Sequence, residues 1–162
     1  MKEAKEIFNN LPQWSKGVIA VVVVGGIGLI GYRIYKGLSG AVNISESEKA
    51  LLDVNNDIKK STEKPSYNGS QYRAFADSLF EAMSGMGTDE EEIFNVFRQM
   101  KNTLDVLLLT KAFDIRDYTD DKFIIFNIKA MNLNQWLSAE LSTSNKKELN
   151  KILSSKGIKY TF

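Results

Sequence analysis

Apolar and polar residues follow two different rhythms along this chain. Between Lys16 and Arg33 runs "GVIAVVVVGGIGLIGY", 16 residues without a charge. After Ser45 the apolar residues recur every three or four positions among charged ones, the period of amphipathic helices. Ile44, Leu51, Leu52, Val54 and Ile58 mark a first short helix, opened by a capping-box pattern of Ser45 and Glu48. "KKSTEKPSYNGSQ" reads as a linker, broken by Pro65 and Asn68-Gly69. "QYRAFADSLFEAM" then places Tyr72, Phe75, Ala76, Leu79, Phe80 and Met83 on one helical face. A helix from about Asp89 to Met100 turns Ile93, Phe94, Val96, Phe97 and Met100 inward. Asn102 and Thr103 form a turn and cap, and a further helix with Leu104, Leu107, Leu108 and Ala112 runs to about Phe113. "DIRDYTDD" reads as a polar loop. "KFIIFNIKAM" fits a strand or a buried helix equally well. "LNQWLSAELS" and "NKKELNKILSSKG" are two further helices, the last stopped by Gly157, and "IKYTF" alternates as an extended strap would. The predicted fold class is mainly α.

The uncharged run contains Gly26-Ile27-Gly28-Leu29-Ile30-Gly31, a G-x-G-x-x-G pattern behind valines. A dinucleotide-binding turn needs a strand before it, a helix after it, and a second parallel strand ending in an acid. Asp53 lies at a suitable distance, but the segment before it is charged and helical, and no strand-helix alternation follows. A bilayer span fits better. A helix of that length reaches about 24 Å, and snorkelling Lys16 and Arg33 extend it toward the roughly 30 Å hydrocarbon core. Trp14, Tyr32 and Tyr35 stand where interfacial aromatics are expected. Gly17, Val21, Val24, Gly28 and Gly31 lie within the span, and Gly25, Gly28 and Gly31 form a small-residue ridge for close helix approach. A buried core helix or a cleaved signal are the remaining readings, the latter disfavoured by "YRIYK" where a cleavage site belongs. Basic residues flank both sides, so orientation is unspecified.

The organisation predicted is a tail at 1–14, a transmembrane helix at 15–36, a juxtamembrane helix and linker at 37–70, and a helical domain at 71–162. The chain holds 162 residues with a net charge of +1, and neither half is basic enough for a nucleic-acid surface. Without histidine or cysteine there is no zinc site of the usual kind, no thiol nucleophile, no imidazole base and no disulfide. Any metal would be a hard cation held by oxygens.

The sharpest motif is Met83-Ser84-Gly85-Met86-Gly87-Thr88-Asp89-Glu90-Glu91. Here "ADSLFEAMSGMGTDEEEIFNVF" resembles the annexin repeat, with looser likeness at "KNTLDVLLLTKAF" and "LNQWLSAELS", over about half the chain. The resemblance implies a five-helix repeat whose first loop holds calcium through the carbonyls of Met83, Gly85 and Gly87, closed by the carboxylate of Glu140. Ser84 stands where the family usually has a basic residue. Gly87 and Glu140 are separated by about a dozen more residues than the family's spacing, and one repeat stands where annexins carry four. The same residues make sense without an ion. Thr88 can cap the next helix with Glu91 completing the box, and three acids suit the positive end of its dipole.

Three functions remain in play. The first is a non-enzymatic, single-pass membrane protein with a structural or interaction role, in a cellular or a virion membrane. Its build also looks like small membrane proteins of bacteriophages, whose head would dock on a shell protein. Its partners would be the lipid bilayer and a protein or a second copy meeting the helical domain, with no cofactor. The second is a calcium-responsive lipid or protein binder. The third is an envelope-acting hydrolase using two acids from Asp117, Asp120, Asp121 and Glu140, a set that also reads as a solvated loop and a surface helix residue.

Overall fold

The computed structural model describes residues 45–119 and 128–162. The span assigned to 15–36 and its anchors therefore lie outside the described residues, as do Asp120 and Asp121. Among the described residues no helix is long and apolar enough to cross a membrane.

Residues 45–162 pack as one unit. It is mainly helical: α1 (Glu46–Lys60), α2 (Gly69–Ser84), α3 (Glu90–Gln99), α4 (Thr103–Phe113), β1 (Ile115–Thr119), β2 (Ile128–Asn132), α5 (Leu133–Glu140) and α6 (Thr143–Ser155). Side-chain caps set the helix starts. Ser45, Asn68, Asn102, Asn132 and Ser142 each accept a hydrogen bond from a backbone N–H in the first turn that would otherwise go unmet. The last helix ends in a Schellman turn. Gly157 adopts φ +72°, its N–H reaches Ser154, and Ile158 N–H reaches Leu153, with the Ile158 side chain buried.

The core forms around α4, which is buried from Leu104 through Thr110 rather than on one face. α2 and α1 pack against it, α3 packs on α2, and α6 packs on α3. Of the helix and linker read at 37–70, residues 45–70 pack within this body, and 37–44 lie outside the described residues. Leu51 and Val54 are buried, and the Ser47 hydroxyl lies 2.8 Å from the Ala130 carbonyl and 2.7 Å from Gln135 Oε1. The linker is held equally firmly. Glu63 accepts from Leu104 N–H at 2.7 Å, Asn102 donates to the Lys64 carbonyl, and the Tyr67 hydroxyl donates to the Gln99 carbonyl.

Two local expectations change. "DIRDYTDD" is not simply a loop, because Ile115–Thr119 pairs antiparallel with Ile128–Asn132, with Asp117 opposite Ala130. The polar letters misled because Arg116 faces inward: its guanidinium lies 4.8 Å from the ring centres of both Phe80 and Phe113 and bonds Asp77 at 2.7 Å. The pairing also resolves the second half of "KFIIFNIKAM" as strand from Ile128 onward. The tail does pack as an extended strap. Asn150 bonds both the N–H and the carbonyl of Phe162, whose ring meets Phe97 edge-on at 5.1 Å.

Candidate functional site

The loop between α2 and α3 is closed at its base by Asp89 N–H donating to the Ala82 carbonyl at 2.9 Å. Gly85 caps α2, and Gly87 takes φ +90°, a backbone state in which a side chain is strained. Met86, between them, is 84% exposed, an unusual setting for a large apolar side chain on this body.

Thr88 does not cap α3. Asp89 does, accepting from Glu92 N–H at 3.0 Å. The cap moves by one residue because the Thr88 hydroxyl is used elsewhere: it donates to Glu140 Oε2 at 2.6 Å, across 52 positions of sequence. Glu140 is the last residue of α5, so the helix end carries its carboxylate to the loop. A second tie joins the same two regions, from Asn145 Nδ2 to Glu90 Oε1 at 3.2 Å. Glu90, Glu91 and Glu92 occupy the first turn of α3, where the helix dipole favours them. Beside the loop is an open concavity of about 750 Å³, lined by Glu81, Gly85, Gly87, Thr88, Asp89 and Glu92 among others.

Of the four residues drawn from the resemblance, Gly85 and Gly87 lie in this loop, Met83 lies in the last turn of α2, and Glu140 meets the loop through Thr88. The Met83 side chain is fully buried. Among the described residues no group of three or more acidic side chains could hold a metal. An oxygen set of backbone carbonyls and one carboxylate needs no such group, and its chemistry suits calcium. Of the catalytic acids considered, Asp117 is exposed at the centre of β1 and Glu140 ends α5.

The most constrained carboxylate was not singled out in the sequence. Asp105 is fully buried, yet no cation pairs with it among the described residues. Its Oδ1 accepts from Ser66 N–H at 2.9 Å and from the Tyr72 hydroxyl at 2.6 Å, and its Oδ2 from Lys101 N–H at 2.9 Å. Burial, and then the bond to Asp105 and its charge, push the Tyr72 phenol far above its usual range. The only sequence signal was an acid in the first turn after Asn102, a commonplace of helix starts. Burial also lowers the Lys111 amine, with nearby Lys59 adding repulsion, and raises the carboxyl of Asp114, whose φ of 61° is left-handed. Asp105 organises the linker: its donors are the backbone N–H groups of Ser66 and Lys101 and the Tyr72 hydroxyl.

No protein-family model matches the chain, and neither a curated protein nor a solved structure is significantly similar to it.

Proposed function

We propose that the chain is a non-enzymatic, single-pass membrane protein whose helical head, residues 45–162, docks a protein partner. The observation that carries this reading is the uncharged run at 17–32, flanked by Lys16 and Arg33 and followed from Ser45 by a compact helical unit. Hydrocarbon demands that every backbone polar group be satisfied internally, which a helix over that run achieves. The interior polar groups of the head are spent on its own architecture: among the described residues every buried side-chain nitrogen or oxygen has a partner. A virion membrane, with the head on a shell protein, is one setting of this reading. Crosslinking in native membranes, followed by identification of the neighbours, tests it. A recurrent protein neighbour supports docking, and lipid alone contradicts it.

A second reading is favoured by the contact between Thr88 and Glu140. The annexin resemblance pairs this loop with this carboxylate, and the two lie together although 52 positions separate them in sequence. Met83, Gly85 and Gly87 would supply carbonyls, and Glu140 the carboxylate, to a calcium ion. The ion would add charge that an anionic lipid or an acidic protein surface could meet. Calorimetry with calcium chloride tests it: heat at millimolar calcium that Glu140→Ala abolishes supports the site, and no heat contradicts it.

A further inference from the structure

The two edges of the β1–β2 hairpin are treated differently, and the difference points outward. Asn132 N–H is used by Gln135 Oε1 at 2.9 Å, and the Ala130 carbonyl, two residues back on β2, accepts from Ser47. Both groups are taken by partners outside the ladder, so Ile115 and Asn132 are read as a non-hydrogen-bonded pair. Antiparallel ladders alternate, which makes Asp117 and Ala130 a second such pair, and Thr119 and Ile128 a third. The backbone groups of these residues therefore face away from the hairpin.

On the β2 side those groups are covered. The Ala130 carbonyl meets Ser47 of α1, and Asn132 N–H meets Gln135. On the β1 side, Asp117 N–H and C=O and Thr119 N–H make no hydrogen bond outside the ladder among the described residues, and Asp117 is exposed. Unpaired strand edges are templates for another strand.

We propose that the outer edge of β1 receives an extended segment of a partner protein, with a lysine or arginine opposite Asp117. Backbone bonds to Asp117 and Thr119 would supply the grip, and the Asp117 carboxylate the selectivity. A second copy of this chain is a poor occupant. Asp117 is the central residue of β1, so two copies paired centre to centre would set one carboxylate against the other. The inference rests on reading the head as a docking module. It names the surface, and a failure here leaves the anchoring test untouched.

The full 162-residue chain in mild detergent can be titrated with two labelled seven-residue peptides of alternating threonine and valine, one with a central lysine and one with a central glutamate. The lysine peptide is expected to bind about fivefold more tightly. It should also slow amide exchange at Asp117 and Thr119. Asp117→Lys should reverse the preference. Thr119→Pro, which removes an outward N–H and no ladder bond, should weaken both peptides. Equal binding of the two peptides, binding without protection of those amides, or self-association of the chain through this edge would each overturn the proposal.

Discussion

The Thr88 hydroxyl donates to Glu140 Oε2 at 2.6 Å, tying the loop after α2 to the end of α5. A short bond to an ionised acceptor is among the stronger kinds, and this one is only partly buried. Thr88→Val is expected to destabilise the head by about 1–2 kcal/mol in urea unfolding without calcium. Glu140→Ala should add little to Thr88→Val, because each change removes the same interaction. Full additivity would mean that the contact contributes nothing.

At the proposed calcium site, an ion would compete with the same bond for the carboxylate. If calcium takes both oxygens of Glu140, Thr88 loses its acceptor. Thr88→Val is then expected to tighten calcium binding severalfold in calorimetry. Unchanged or weaker binding would show that Thr88 positions Glu140 instead of opposing the ion.

Asp105 holds three donors from three segments, so its loss strands all of them. Asp105→Ala should cost about 3 kcal/mol or more, read as a lowered urea midpoint. Tyr72→Phe removes one donor and should cost about 1–3 kcal/mol. The phenol also gives a pH signature. The unfolded chain loses this proton near its ordinary value of 10.0, while the folded chain retains it. The folded state then binds more protons, so stability falls as pH rises above about 10. Tyr72→Phe should remove that part of the alkaline slope.

Arg116 is held by two rings, the Phe113 carbonyl and Asp77. A planar guanidinium satisfies all of these together, and an ammonium does not. Arg116→Lys should therefore destabilise by about 1–2 kcal/mol in thermal unfolding. A smaller change would show that the hairpin docks without this clamp.

Much of the helical framework was legible because it is local. Capping residues precede apolar residues at helical spacing, and Gly157 sits where the last helix must stop. The misreadings were long-range in origin. Thr88 has every property of an N-cap, and only a carboxylate 52 positions away withdraws it from that role. Arg116 and Asp117 look like loop residues until Phe80 and Phe113 supply an inner face for the arginine. Asp105 looks like any first-turn acid until Ser66, Tyr72 and Lys101 close around it. The linker from Ser61 to Asn68 has the letters of a flexible joint, yet Glu63, Lys64, Ser66 and Tyr67 each bond to the core helices or the turn between them. In each case the partner is brought close only by the fold.

Placement of residues 17–32 in hydrocarbon can be measured by translating the full chain in the presence of lipid vesicles, followed by an alkaline carbonate wash and flotation. The chain is expected to float with the vesicles after the wash, and Val22→Lys with Val24→Lys to release it. Recovery of the unaltered chain in the aqueous fraction would rule out a bilayer span at 17–32.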